Sequence, residues 1–121
     1  MTFRPALVAL AFLASVVTAA AHASLERAEP RPGSRLKTPP TEIKLWYTEK
    51  LEPAFSSLRV QTGAGRRVDR ADGRVDDVDR KLMRVSVSPL TPGTYRVVWR
   101  VLSVDGHVTE GEFTFRIEPG A

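Results

Sequence analysis

His22 and His107 are the only histidines in the chain, and each is placed where it could bind a metal ion. His22 follows small residues of the kind that precede a signal-peptidase cleavage site. Cleavage after Ala21 would make His22 the first residue of the mature chain and free its α-amine. A free amine and an imidazole on one residue form a chelate, and they titrate at about pH 8 and about pH 6.5. The sequence therefore predicts that export creates a metal-binding group that the precursor lacks.

Residues 1–21 have the composition of an export signal, with Arg4 followed by an apolar run and by small residues that end in an Ala-x-Ala pattern. The four-residue step from the apolar run to Ala21 favours cleavage before His22. The three residues that end at Ala23 also form Ala-x-Ala, so cleavage after Ala23 is the alternative, and it would remove the histidine. We expect an exported protein, in a periplasm or at the surface of a Gram-positive cell.

The second histidine lies in the segment Ser103–Val104–Asp105–Gly106–His107. Asp105 and His107 are two positions apart, so an extended or turning backbone lets both side chains face the same way. With the amine and imidazole of His22 they would supply four nitrogen and oxygen ligands. Such a set suits a tetragonal Cu(II) centre; zinc could also bind, but it stands below Cu(II) in the general affinity order. Alternatively, Asp-Gly is an ordinary turn and His107 is merely solvated.

The composition of the mature chain, residues 22–121, limits its class. Its 100 residues suffice for one domain with one hydrophobic core. The chain has no cysteine, which excludes thiolate metal sites and disulfides. Seventeen basic and 14 acidic residues give the mature chain a net charge of +3, and the basic residues are scattered. We therefore expect a soluble monomer that does not bind nucleic acid.

Alternation of apolar and polar residues, punctuated by glycine and proline, predicts an all-β protein. The expected architecture is an antiparallel Greek-key β-sandwich. The polar segment 63–81 is expected to be a long loop or a hairpin excursion, and the Asp105–His107 segment a loop at one end of the sandwich. Strands are predicted at Ser24–Glu29, Glu42–Glu49, Phe55–Gln61, Leu82–Val87, Thr94–Leu102 (as a central strand) and Glu112–Ile117.

The chain resembles the CopC family of exported copper-binding proteins over essentially all of its mature length. The resemblance depends on the order and spacing of several short motifs. These are His22–Ala23 followed by Leu25 and Pro30–Gly33, then Leu45–Glu49, Leu90–Tyr95, Trp99–Val101, Ser103–His107, and the closing Gly111-x-Phe113-x-Phe115.

The resemblance implies a cupredoxin-like or immunoglobulin-like sandwich of about seven strands that carries one Cu(II) per chain. The implied ligands are the amine and imidazole of His22, the carboxylate of Asp105 and the imidazole of His107. Glu49 matches a family glutamate near the site, which implies a hydrogen bond that orients the amine or a ligand; an ordinary surface carboxylate is the alternative. A membrane copper transporter is a candidate partner, and copper is expected to be carried or buffered, for copper homeostasis and resistance, without a catalysed reaction.

The chain departs from those family members that bind Cu(I) on a methionine-rich loop. Met83 is the single methionine of the mature chain, and it is in phase with a core strand. We therefore expect no Cu(I) site. Four other interpretations compete with Cu(II) carriage: a metal-free interaction module, a small copper oxygenase, a hydrolase using Ser103, His107 and Asp105, and a calcium site in the aspartate-rich segment 72–79.

Overall fold

In a computed structural model, the described residues run from Ala23 to Gly120, so the expected signal peptide and His22 lie outside them. They form eight strands and a short 3-10 helix, Pro53–Phe55. The expected all-β sandwich is confirmed, and none of the described segments is a helix long and apolar enough to cross a bilayer. The strands are β1 (Leu25–Glu29), β2 (Arg35–Leu36), β3 (Glu42–Tyr47), β4 (Ser57–Thr62), β5 (Arg74–Val75), β6 (Leu82–Ser86), β7 (Gly93–Leu102) and β8 (Val108–Ile117).

Two four-stranded sheets form the sandwich, with strand orders β1-β3-β6-β5 and β2-β8-β7-β4. All pairs are antiparallel except β2 with β8, which are parallel. The long strand β7 lies between β8 and β4, as its two apolar faces predict. Ten residue pairs join β7 to β8, from Gly93 with Ile117 to Leu102 with Val108. This long hairpin carries residues 103–107 at its tip.

Period-two alternation explains the core between the sheets. In β3, the side chains of Ile43, Leu45 and Tyr47 are fully buried, while the residues between them are half-buried on the outer face. In β7, the side chains of Tyr95, Val97 and Val101 are likewise buried between the sheets. Because successive strand side chains point to opposite faces, each sheet presents an apolar face to the other. Full burial of one such aliphatic side chain stabilises the fold by about 1.5–3 kcal/mol.

Several predicted strand boundaries were wrong, among them the starts of β4 and β8. Phe55 belongs to the 3-10 helix and not to β4, because Pro53 has a fixed φ that suits the start of a helical turn. The segment 63–81 forms the expected hairpin excursion, because it contains the two-residue strand β5, which pairs antiparallel with β6. β8 begins at Val108 and not at Glu112, since its polar first half continues the ladder with β7 although it has little apolar alternation.

Trp99 packs under the end of the sandwich that carries residues 103–107. Its indole lies 6.4 Å from the ring of Tyr47 and 5.9 Å from that of Phe113, measured between ring centroids. The cross-strand partner of Trp99 is Gly111. A Cβ atom at Gly111 would come within 2.2 Å of the indole Cζ2. The glycine is therefore required by the close approach of the tryptophan ring.

Substitution Gly111→Ala should displace the indole of Trp99 and destabilise the fold by about 1–3 kcal/mol, the usual cost of overpacking. The free energy of unfolding, from urea titration followed by tryptophan fluorescence, measures this effect. Gly63→Ala is the matched control, because a Cβ there meets no atom within 4 Å. Equal unfolding midpoints for the two variants would contradict the packing described for Trp99.

Candidate metal centre

The loop between β7 and β8 is closed by its own backbone. The amide of Ser103 donates to the carbonyl of His107 at 3.0 Å, and the amide of Gly106 donates to the carbonyl of Ser103 at 2.9 Å. Gly106 has a φ of 93°, in the left-handed region that favours glycine. Ser103 is buried at the base of the loop, whereas Asp105 at its tip is exposed. The loop is thus a short, defined turn that presents its side chains outward.

Asp105 and His107 come together as their spacing predicts. The imidazole Nδ1 of His107 lies 3.1 Å from the carboxylate Oδ1 of Asp105, and the amide of His107 approaches the same oxygen at 3.3 Å. Both side chains are partly open to solvent, at 37% for Asp105 and 43% for His107. A carboxylate and an imidazole therefore meet at the surface, where an ion can reach them.

Ser103 supports this pair in a way that sequence reasoning missed. Its hydroxyl donates to Oδ1 of Asp105. The Ser103 hydroxyl, and after it the His107 imidazole, hold the pKa of Asp105 below its usual range. Asp105, which like an ordinary aspartate is ionised at neutral pH, therefore stays ionised at more acidic pH and can accept a cation there without first losing a proton. The sequence carries no signal for this contact, because it depends on the exact fold of the turn.

The start of the described chain lies at the same end of the sandwich as this loop. Ser24 and Thr48 exchange two hydrogen bonds: the Ser24 amide to Thr48 Oγ1 at 3.0 Å and the Thr48 amide to the Ser24 carbonyl at 2.9 Å. Two residues on, the Lys50 carbonyl accepts the amide of Val104 at 3.0 Å. Residues 48–51 therefore lie between the N-terminal segment and the loop. Ala23, the residue after His22, is fully buried.

Glu49 lies in that connecting segment, between Thr48 and Lys50, and is half-buried. Within residues 23–120, no group of three histidine, cysteine, aspartate or glutamate residues is close enough to hold a metal ion. The structure thus brings together Asp105 and His107 and puts Glu49 in the neighbouring segment. His22, the remaining predicted ligand, precedes Ala23 and lies outside the described residues.

The contacts of Ser103 do not form a nucleophile and base. The hydroxyl contacts the carboxylate of Asp105 and the backbone of His107, but no hydrogen bond joins it to the imidazole. A serine hydrolase needs the serine hydroxyl bonded to the histidine ring, with the carboxylate on the far side of that ring. Ser103 is also only 1% exposed. The arrangement therefore serves the loop and does not activate a nucleophile.

The carboxylates of the aspartate-rich segment accept hydrogen bonds from the chain itself. Asp72 accepts the amide of Ser86, and Asp76 accepts two amides of its own turn and the guanidinium of Arg84. The Asp79 carboxylate accepts the amide of Lys81. These contacts give the segment a role in turns and ion pairs.

Comparison with known proteins gives the family. The CopC domain profile matches residues 25–118. The chain belongs to the CopC family. The resemblance inferred from the sequence motifs is therefore confirmed, and this family includes proteins named for copper resistance.

Three relatives illustrate the match. Protein YobA of Escherichia coli K12 is 34% identical over 99 residues, which are 81% of this chain and 80% of YobA. The crystal structure of CopC from Methylosinus trichosporium OB3b is similar with a TM-score of 0.73 and 28% identity, covering 83% of this chain and 97% of that one. PcoC, a methionine-rich copper resistance protein from Escherichia coli, gives a TM-score of 0.69 and 31% identity, covering 81% and 100%.

This CopC-family chain differs from a methionine-rich relative in its sulfur content. It has two methionines, of which Met1 falls in the expected signal peptide. Met83 is fully buried between the sheets. Its thioether therefore packs as a core side chain and is closed to a surface ion.

Substitution Ser103→Ala should raise the pKa of Asp105 toward its ordinary range, because it removes the hydroxyl that contributes most to the depression. A carboxyl ¹³C NMR titration of the copper-free protein measures the pKa directly. Ser56→Ala is the control, since the Ser56 hydroxyl accepts the nearby amide of Leu102 without contacting Asp105. An Asp105 pKa that is the same in Ser103→Ala and in the unaltered protein would contradict the assigned role.

Proposed function

We propose that the mature chain is an exported Cu(II) carrier that binds one Cu(II) through His22, Asp105 and His107. The observation that carries the proposal is the surface pair of Asp105 and His107 at the end of the sandwich where the N-terminal segment enters. Ser24 is hydrogen-bonded to Thr48, and Lys50 to Val104. Ala23, the residue that follows His22, therefore lies at this end of the sandwich.

The ligand chemistry supports Cu(II) over other ions. An amine, two imidazoles and a carboxylate are nitrogen and oxygen donors, which suit tetragonal Cu(II). The six-membered chelate ring that the α-amine and the Nδ1 of the same histidine form with a metal ion favours a planar set. The lowered pKa of Asp105 keeps the carboxylate ionised at more acidic pH than an ordinary aspartate. Soft ligands that would favour Cu(I) are restricted in the described residues to the buried Met83.

Glu49 has a supporting role in the proposal. Its neighbours in the chain are Thr48, which is hydrogen-bonded to Ser24, and Lys50, which is hydrogen-bonded to Val104. From this position its carboxylate can accept a hydrogen bond from the N-terminal amine or from a ligand imidazole. Such outer partners orient metal ligands and raise their basicity.

Copper is cargo in this proposal and no reaction is catalysed. Ser103 is engaged with Asp105, so the loop offers no activated nucleophile. An exported monomer that holds Cu(II) at its surface can release it to a membrane copper transporter, which is the partner that the family resemblance implies. Tight, reversible and open coordination fits carriage or buffering in copper homeostasis and resistance.

The freed amine is the first part of the proposal to test. Cu(II) competition against a strong chelator should show tight one-to-one binding by protein that begins at His22. One additional N-terminal alanine should weaken binding by orders of magnitude, because the α-amine then lies one residue from the imidazole. Affinity should fall as the pH is lowered from about 8, since protons compete for the amine and the imidazoles. Equal affinities in the two forms would refute the N-terminal chelate.

The loop ligands are tested by His107→Ala and Asp105→Asn, which should each weaken Cu(II) binding more than an outer-partner change does. Glu49→Gln should weaken it by roughly 10–100-fold, the usual effect of removing an orienting carboxylate. Glu52→Gln is the matched control, because Glu52 lies three residues further along the same connecting segment. The electron paramagnetic resonance spectrum of the Cu(II) form should change for His107→Ala and stay constant for Glu52→Gln. Equal losses for Glu49→Gln and Glu52→Gln would assign the effect of Glu49 to surface charge alone.

A further inference from the structure

The large exposed apolar side chains of the described residues lie at one end of the sandwich. Four large apolar side chains within residues 23–120 are exposed: Phe55 at 67%, Val78 at 93%, Val104 at 55% and Val108 at 48%. Val104 and Val108 flank the Asp105–His107 pair in sequence. All four lie in three segments, 48–56, 76–81 and 103–108, which we call the site end.

Hydrogen bonds join these three segments into one surface. The Leu51 amide donates to the Arg80 carbonyl at 3.0 Å, and the Val104 amide donates to the Lys50 carbonyl at 3.0 Å. The Glu52 amide donates to the Leu102 carbonyl at 2.8 Å, which fixes the 3-10 helix beside the β7–β8 hairpin. A shallow cavity of about 210 Å³ lies between them, lined by Lys50, Leu51, Glu52, Pro53, Arg80 and Val104.

The two ends of the sandwich carry opposite charge. The site end has six carboxylates, of Glu49, Glu52, Asp76, Asp77, Asp79 and Asp105, against the three cations of Lys50, Arg80 and Lys81. The opposite end, residues 30–41, 63–72, 87–92 and 118–120, has six cations and three carboxylates. We call it the far end. One site-end carboxylate, Asp76, is paired with Arg84 of β6, which leaves five carboxylates against three cations. The site end is thus acidic although the mature chain is basic.

We propose that the site end is a docking surface for a protein partner with an apolar centre ringed by lysine and arginine. Exposed apolar side chains grouped on one surface lose unfavourable contact with water when a partner covers them. The excess of carboxylates around them attracts a cationic rim and repels an acidic one. Since Asp105 and His107 lie within this surface, a partner that docks there meets the proposed copper site.

Docking should also oppose copper binding, a consequence that rests on the proposed function. Cu(II) adds two positive charges to the site end, so it weakens attraction for a basic partner. Because coupling between two ligands is reciprocal, the partner weakens the hold on Cu(II) by the same factor. A basic partner would therefore promote release of the ion at the place of delivery.

The docking surface is tested first on copper-free mature protein, where the result is independent of the metal site. The probe is a short amphipathic helical peptide of leucine and lysine; its counterpart with glutamate in place of lysine is the control. The lysine peptide should shift amide NMR signals of residues 48–56, 76–81 and 103–108, and the glutamate peptide should not. Signals that move at the far end, or equal effects of the two peptides, would overturn the proposal.

Two variants identify the interactions that matter. Val104→Ser should weaken binding of the lysine peptide by roughly tenfold, the contribution of about one buried valine. Asp77→Lys should also weaken it, whereas Glu118→Lys makes the same change in net charge at the far end and should leave binding unchanged. Equal effects of Asp77→Lys and Glu118→Lys would mean that only net charge matters, and the proposal would fail.

Two further outcomes would assign the surface to another occupant and so refute the proposal. Sedimentation that shows self-association abolished by Val104→Ser would make the occupant a second copy of the chain. Val104-dependent binding to phosphatidylcholine–phosphatidylglycerol vesicles would make it a membrane.

The copper titration is then repeated with the lysine peptide present. Peptide binding without any change in Cu(II) affinity refutes the coupling alone, and absence of Cu(II) binding refutes the proposed function while leaving the docking result intact.

Discussion

The ladder of ten residue pairs between β7 and β8 is the constraint on which the candidate site depends. It holds the ends of residues 103–107 in fixed register, so the loop can turn at Gly106 and bring the side chains of Asp105 and His107 to 3.1 Å. Beneath the loop, Trp99 on β7 packs against Tyr47 of the other sheet and over Gly111 of β8. The same hairpin therefore orders the loop and anchors it to the core.

The exit from β3 connects this hairpin to the first sheet. Within residues 48–51, the carbonyl of Lys50 accepts the amide of Val104. Thr48 is hydrogen-bonded to Ser24 through its own amide and its hydroxyl. Both contacts are made by backbone or by a short hydroxyl side chain, which restricts their geometry. An N-terminal ligand can reach a fixed point on the surface only if the first residues of the chain are held in this way. The sandwich thus provides a scaffold on which a chain terminus and a loop can share an ion.

The distribution of charge and apolar surface adds a second property to this end of the molecule. A buffer for a metal ion needs only ligands and solvent access, and neither requires exposed valine and phenylalanine side chains around the site. Their restriction to the acidic site end supports the proposed docking of another surface beside the proposed capture of an ion. In the proposed function, acidic residues there would also attract Cu(II) from solution, so one charge distribution would serve both capture and docking.

Much of this protein follows from local sequence. Period-two alternation predicts the buried faces of β3 and β7, glycine and proline mark the turns, and the spacing of Asp105 and His107 predicts their contact, because all of these depend on near neighbours along the chain. The motifs also predict the CopC family.

Tertiary structure alone decided that residues 48–51 lie between Ser24 and the loop. It also decided that the Ser103 hydroxyl lowers the pKa of Asp105 and that the indole of Trp99 packs against Gly111. It also decided the start of β8 and the pairing of β5, where the partner strand and not the alternation of residues selects the conformation. Such features depend on atoms that are distant in sequence, or on the exact fold of a turn, and periodicity carries no information about them.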